Sequence, residues 1–100
     1  MSNLIGIDVG TSGAKAIIIS PDGRILAESN ASYPCEHPRP LWSQQDPELW
    51  WKATQEVVRK LMAKAKQKPD DVAAIGLSGQ MHASVFLHQR NRFIRPAILW

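Results

Sequence analysis

The chain has 100 residues, 44% of them hydrophobic, and a formal net charge of +3. This length allows one domain with a modest core and excludes a complete two-lobed enzyme that uses a cofactor. The small positive charge argues against a nucleic-acid partner, and the sequence shows no signal peptide or apolar run of membrane-spanning length. Because a lone cysteine, Cys35, cannot form an internal disulfide and fits a reducing compartment, we expect a soluble cytoplasmic protein.

The first third of the sequence predicts three strands joined by short turns. Residues 4–9 form an apolar run, residues 16–19 form a second run rich in β-branched side chains, and residues 24–32 form a more polar third strand. Between the second and third strands, residues 20–23 have the composition of a tight turn. We therefore expect an antiparallel meander, followed by an irregular stretch at residues 33–41, where three prolines exclude regular structure.

A helix is predicted to begin just after Asp46. Asp46 is a suitable N-cap, Pro47 suits the first helical position because its missing N–H is not needed there, and Glu48 complements the positive end of the helix. Apolar side chains then recur every three or four residues and define one face, formed by Trp50, Ala53, Val57, Leu61 and Ala65. Pro69 is expected to stop the helix.

The remainder of the chain predicts further strands. Residues 72–77 form a nearly continuous apolar run, which favours a strand covered on both faces, as in a parallel sheet. Residues 84–87 predict another strand, and residues 97–100 the beginning of one more, cut short by the end of the sequence. The predicted fold class is α/β, with a mixed sheet made of an antiparallel three-stranded meander, a crossover helix and a parallel strand.

The stretch GIDVGTSGAK, residues 6–15, has the composition of a phosphate-binding loop. Gly10 and Gly13 bracket Thr11 and Ser12, so that the backbone can turn sharply and direct successive N–H groups into one concavity. Lys15 adds a positive charge, and Asp8 offers a carboxylate to a hydrated Mg²⁺ that accompanies a nucleotide. An ordinary hairpin turn explains the same residue types equally well, and the spacing matches neither the Walker nor the Rossmann pattern.

A second stretch, GLSGQMH at residues 76–82, follows the predicted parallel strand directly. Gln80 and His82 bring polar groups to the carboxyl end of that strand, where ligands bind in α/β sheets, and such groups suit sugar hydroxyls. Taken alone, this segment favours His82 as a hydrogen-bonded structural histidine and Met81 as a core residue over a sugar site.

These two stretches and WSQQDPELWW, residues 42–51, occur in an order that resembles the FGGY family of carbohydrate kinases. The similarity extends over essentially all 100 residues. It implies a ribonuclease H-like lobe of the actin-like ATPase type. Residues 1–100 are then expected to be the N-terminal part of the first FGGY lobe, incomplete and without the second lobe.

The resemblance also implies an activity, and it is strongest to the family members that convert D-xylulose to D-xylulose 5-phosphate with ATP and Mg²⁺. The implied contacts to the ATP phosphates are made by Gly10, Thr11, Ser12, Gly13 and Lys15. Asp8 is implied to have a catalytic role by positioning Mg²⁺ and the phosphates through a water molecule, and Gln80, Met81 and His82 are implied to bind the sugar. The general base of the family is an aspartate beyond residue 100, so the 100-residue chain alone is expected to be inactive.

Several alternatives remain open from the sequence. The enzyme class includes kinases of glycerol, gluconate and ribulose, and a non-catalytic actin-like nucleotide-binding module would also use Asp8 and the loop. The expected partners are the sugar and ATP, with no nucleic acid and no membrane, and a homodimer is compatible with the full-length enzyme. Trp50 is expected in the core, whereas Trp42 and Trp51 either pack the proline-rich stretch, which we favour, or line a sugar pocket.

Overall fold

The computed structural model describes residues 2–40 and 43–79, together with residues 83, 85, 87, 89, 90, 92 and 95–99. Its elements in chain order are β1 (Asn3–Val9), β2 (Gly13–Ile19), β3 (Ile25–Ser32), β4 (Gln44–Gln45), α1 (Pro47–Ala65), a short 3-10 helix (Pro69–Asp71), β5 (Val72–Gly79) and β6 (Ala97–Ile98). A four-stranded sheet has the order β3-β2-β1-β5. The first three strands are antiparallel and β5 is parallel to β1, so the predicted meander, crossover helix and parallel strand are confirmed.

The core lies between α1 and one face of the sheet. Alternate residues of β1 and β2 point toward the helix and are buried, among them Ile5, Ile7 and Ile18. From the helix side, Ala53, Val57 and Leu61 complete this cluster, while Trp50 and Ala65 are half-buried at its margin. The predicted apolar face of the helix is therefore confirmed. The opposite face of the sheet carries no helix among the described residues, and it exposes both apolar side chains, such as Leu4 and Ile17, and polar ones, such as Asp8 and Lys15.

The helix begins as the sequence predicts but ends earlier. The Asp46 carboxylate accepts a hydrogen bond of 2.9 Å from the backbone N–H of Glu48, and Pro47 occupies the first turn. At the other end, Lys66 adopts a left-handed conformation with φ of 54°, and the N–H of Gln67 donates to the carbonyl of Met62 at 3.2 Å. This cap closes the helix at Ala65, ahead of Pro69, because a left-handed residue redirects the chain and satisfies the last carbonyls.

Removing the N-cap provides a first test of this local account. We expect Asp46→Ala to lower the free energy of unfolding by about 1 kcal/mol, because the N–H of Glu48 loses its side-chain acceptor and the helix dipole loses a negative charge. Denaturant titration followed by circular dichroism measures this change. The exposed Asp70 provides the control, since Asp70→Ala removes the same charge away from the helix start. Equal losses for the two variants would contradict the capping role.

One expectation about β5 is wrong. The apolar run predicted a strand covered on both faces, yet the side chains of Ile75 and Leu77 are 56% and 77% exposed. The reason is the position of α1, which packs across β2 and β3 and leaves β5 at the edge of the sheet. An apolar run indicates that a strand favours burial, but it does not show which element packs against that strand.

The proline-rich stretch is mostly irregular, as predicted, with one exception. Glu36 forms a bridge with Gln44 through two backbone hydrogen bonds of 2.8 and 2.9 Å. Gln44 and Gln45 then pair with β6 in a second, two-stranded sheet, so the strand predicted at the end of the chain is observed at Ala97–Ile98. The strand predicted at residues 84–87 falls largely outside the described residues. Within the part of the chain that the structure describes, no helix is long and apolar enough to cross a bilayer.

Candidate active site

The loop from Gly10 to Gly13 connects β1 to β2 and closes on itself. The backbone N–H of Gly10 donates to the carbonyl of Gly13 at 3.0 Å, so the loop is also a hairpin turn. A Cβ atom at position 13 would lie 2.3 Å from the carbonyl oxygen of Ala31, so that only glycine fits this contact with β3. The loop therefore lies tightly against the sheet while its outer side faces a cavity.

That cavity has a volume of about 380 Å³ and brings together the predicted phosphate-binding residues. Its lining includes all five of them, Gly10, Thr11, Ser12, Gly13 and Lys15, together with Asp8, the predicted Mg²⁺-positioning residue. Asn30 and Ser32 of β3 complete the polar wall. Backbone N–H groups, hydroxyls and an ammonium group in one concavity suit an anion such as a phosphate group.

Asp8 lies in a row of polar residues that crosses the sheet. In the strand register Asp8 is opposite Lys15 on β2 and Ser78 on β5, and Lys15 is opposite Asn30 on β3. Residues paired in this way project from the same face with Cβ atoms about 5 Å apart in the antiparallel pairs. This is the face without the helix, where Asp8 and Lys15 are both exposed. A carboxylate and an ammonium group therefore stand side by side next to the loop.

The second predicted stretch leaves the sheet beside the loop. Val9 pairs with Gly79, so that β1 and β5 end together, and a Cβ atom at Gly79 would lie only 3.6 Å from the carbonyl oxygen of Val9. Gln80, Met81 and His82 follow Gly79 in the sequence and lie outside the described residues. Their predicted sugar contacts stay predictions.

A groove of about 690 Å³ lies at this end of β5. It is bounded by Trp50 and Trp51 of α1 on one side and by Leu77 and Gly79 on the other. Trp50 is half-buried against the core, and its indole N–H donates to Oε1 of Gln45 at 3.1 Å, so its predicted packing role is confirmed. Trp51 is 59% exposed and lines the groove, whereas Trp42 lies outside the described residues.

Comparison with known proteins identifies the family. The model of the N-terminal domain of the FGGY family of carbohydrate kinases matches residues 3–100. The chain belongs to the FGGY family. Among its relatives is the xylulose kinase of Escherichia coli K12, which is 44% identical over 96 residues, or 96% of this chain and 19% of that protein. The chain thus spans about a fifth of the length of the curated relatives that it matches.

Solved FGGY structures share the fold. A kinase from Brucella ovis superposes with a TM-score of 0.92 at 37% identity, over 98% of this chain and 21% of that one. A gluconate kinase from Lactobacillus acidophilus superposes with a TM-score of 0.88 at 30% identity, over 97% of this chain and 19% of that one. These matches confirm the predicted ribonuclease H-like lobe of the actin-like ATPase type.

The donor set of the FGGY site fits a hydrated Mg²⁺ and does not resemble a dedicated metal centre. Among the described residues there is no group of three or more His, Cys, Asp or Glu side chains that could hold a metal ion. Mg²⁺ usually keeps several waters and binds proteins through one or two carboxylates together with substrate phosphates, which Asp8 beside the loop can satisfy. Cys35 is a free thiol whose Sγ lies 3.7 Å from the carbonyl oxygen of Gln44.

Two residues at this site were missed by sequence reasoning. The hydroxyl of Tyr33 donates to the carbonyl of Gly10, and Nε2 of Gln45 donates to the carbonyl of Thr11 at 2.6 Å. Burial raises the pKa of the Tyr33 phenol, and the nearby Asp8 carboxylate raises it further, so this hydroxyl stays protonated as a donor. Both contacts join residues more than twenty positions apart, and only the folded chain reveals them.

Proposed function

We propose that these residues are the N-terminal part of the first lobe of a cytoplasmic kinase that transfers the γ-phosphoryl group of ATP to D-xylulose. The observation that carries the proposal is the strand register that places Asp8 and Lys15 side by side at the loop of Gly10 to Gly13. The end of β5 at Gly79, directly before the predicted sugar-binding residues, lies next to the same loop. In this proposal the sugar and the phosphates of ATP meet at one edge of the sheet.

The residues of this chain contribute position and charge to the reaction. The N–H groups of the loop and the ammonium group of Lys15 hold phosphate oxygens, because they lie in one concavity with the hydroxyls of Thr11 and Ser12. Asp8 would hold a hydrated Mg²⁺ through a water molecule, and that ion would supply positive charge to offset the charge of the phosphates. Gln80, Met81 and His82 orient the sugar hydroxyl toward the γ-phosphorus, and the base that takes its proton is supplied by the second lobe.

The identity of the sugar substrate is tested with a panel of acceptors. The E. coli relative supports xylulose, and the gluconate kinase is also similar to this chain. The complete enzyme is therefore assayed with D-xylulose, D-ribulose, gluconate and glycerol, with ATP and Mg²⁺ present. The highest kcat/KM is expected for D-xylulose. A preference for another acceptor would keep the kinase and change its substrate, whereas nucleotide binding without any sugar phosphorylation would favour a non-catalytic nucleotide-binding module.

The sugar contact of His82 leads to a second prediction. His82→Ala is expected to raise the KM for D-xylulose about tenfold while the KM for ATP changes less than twofold, because a lost hydrogen bond to a sugar hydroxyl leaves the phosphate loop intact. Steady-state kinetics with each substrate varied in turn measures both constants. His37→Ala is the matched control, since His37 is an exposed histidine outside the motifs. Equal effects on both substrates in a folded variant would remove His82 from the sugar site.

A further inference from the structure

Three consecutive carbonyl groups of the phosphate loop are held by partners from one segment. The Gly10 carbonyl accepts a hydrogen bond from the Tyr33 hydroxyl, and the Thr11 carbonyl accepts one from Gln45 Nε2 at 2.6 Å. The Ser12 carbonyl accepts one from the backbone N–H of Tyr33 at 3.2 Å. Neither Tyr33 nor Gln45 lines the cavity on the outer side of the loop. The hydrogen bonds from Tyr33 and Gln45 therefore hold the loop on the side away from the cavity.

Because the peptide group is planar, the direction of these three carbonyl groups also determines the direction of the adjacent N–H groups. The described residues contain no cis peptide bond, and in a trans peptide the carbonyl points opposite to the N–H of the next residue. Carbonyls of residues 10, 11 and 12 that point toward Tyr33 and Gln45 therefore turn the N–H groups of Thr11, Ser12 and Gly13 away from them. These three residues line the cavity that also contains Asp8. Successive N–H groups directed into one concavity form a nest for an anion.

Gln45 is built to hold this position. Its side chain is only 1% exposed, and its amide oxygen accepts the hydrogen bond of 3.1 Å from the indole of Trp50. The amide nitrogen also lies 3.4 Å from the carbonyl of Pro34. Because the indole N–H can only donate, it fixes which end of the amide faces the loop. Tyr33 is 8% exposed, so its hydroxyl is held in place by packing as well.

We infer that Tyr33 and Gln45 are positioning residues that fix the phosphate loop with its N–H groups directed at the transferred phosphoryl group. This inference rests on the proposed function, since it assigns these residues a part in phosphate binding by the same site. They do not touch the nucleotide and act through the loop backbone. Pre-set N–H groups stabilise phosphate charge without reorganising during the reaction, and this makes their direction important for rate.

The test compares Gln45→Leu and Tyr33→Phe with the wild type in the complete enzyme. Each variant removes one donor to the loop and retains most of the side-chain volume, so we expect kcat/KM for ATP to fall about tenfold and the KM for D-xylulose to change less than twofold. Gln44→Leu is the matched control. Gln44 is the neighbouring glutamine of β4, and its side chain bonds Glu36 and Arg95 without reaching the loop. Thermal melting of all variants identifies those that are folded at the assay temperature.

A further variant keeps the inference falsifiable if Gln45→Leu does not fold. In Gln45→Glu the side chain donates to the Thr11 carbonyl only while it is protonated, and burial raises its pKa. Its activity relative to the wild type should therefore rise as the pH is lowered, which a purely structural loss would not produce. Unchanged ATP kinetics in a folded Gln45→Leu, or an equal loss in Gln44→Leu, would overturn the inference. Absence of kinase activity in the wild type would instead overturn the proposed function.

Discussion

Replacement of Asp8 by asparagine is expected to lower kcat for sugar phosphorylation about a thousandfold while the protein remains folded. Asp8 is exposed on the face of the sheet without the helix, so the change removes a charge and leaves the core untouched. In the proposed mechanism, removal of the carboxylate would take away the anchor of the hydrated Mg²⁺ beside Lys15 and the loop, and the phosphates would lose their alignment with the acceptor. Steady-state rates at saturating ATP and sugar measure the loss.

Two further measurements separate the loss of Asp8 from a general effect of charge. Asp70→Asn removes a carboxylate from an exposed position far from the loop in sequence and should leave kcat within twofold of the wild type. Raising the Mg²⁺ concentration should recover part of the activity of Asp8→Asn if the carboxylate acts by holding the hydrated ion. A variant that retains more than a tenth of the wild-type kcat would show that Asp8 is not the anchor.

Gly13→Ala is expected to lower the free energy of unfolding by about 2–3 kcal/mol. The added Cβ would lie 2.3 Å from the carbonyl oxygen of Ala31 and 3.0 Å from the Cα of Ser32. Both atoms belong to the backbone of β3, so relief requires that β2 and β3 separate and not simply that a side chain rotates. Chemical denaturation of the purified protein measures the change.

Gly76→Ala is the matched control for Gly13→Ala. Gly76 lies within β5, and a Cβ at this position would meet no atom within 4 Å. The substitution should be neutral or slightly stabilising, because alanine reduces the conformational freedom of the unfolded chain. If both glycine variants unfold at the same denaturant concentration, the close approach of Gly13 to β3 does not contribute to the free energy of unfolding. Since Gly13 itself belongs to the loop, a folded Gly13→Ala should also bind ATP more weakly.

Local signals in the sequence were enough for much of the fold. The helix start at Asp46 and Pro47 and the three strands of the meander follow from residue types that act on their nearest neighbours. The exposure of Leu77 was not predictable in this way, because burial depends on where α1 packs. The same error is expected wherever an apolar run is taken as evidence that a particular helix or strand packs against it.

The same distinction between local and long-range features applies to the candidate site. The clustering of the Gly10–Gly13 loop was predictable because its glycines and hydroxyl residues are contiguous, and the structure places Asp8 and Lys15 beside it, while phosphate binding stays a prediction. Tyr33 and Gln45 were not predictable, since their hydrogen bonds to the loop are made across 23 and 34 positions of sequence. Sugar contacts at residues 80–82 depend on the family resemblance and lie outside the described residues.

Pairing β1 with β5 costs more chain entropy than pairing β1 with β2, because a much longer stretch of chain has to be closed into a loop. β1 and β2 are joined by the short loop between Val9 and Gly13, whereas the β1–β5 ladder encloses the whole stretch from Val9 to Val72. In the unfolded chain, closing the longer loop costs about 2–3 kcal/mol more than closing the shorter one. The β1–β2 hairpin is thus closed by near neighbours in sequence, while the pairing of β5 with β1 requires the whole intervening stretch to be brought together. We therefore expect β5 to separate from β1 before the β1–β2 hairpin opens.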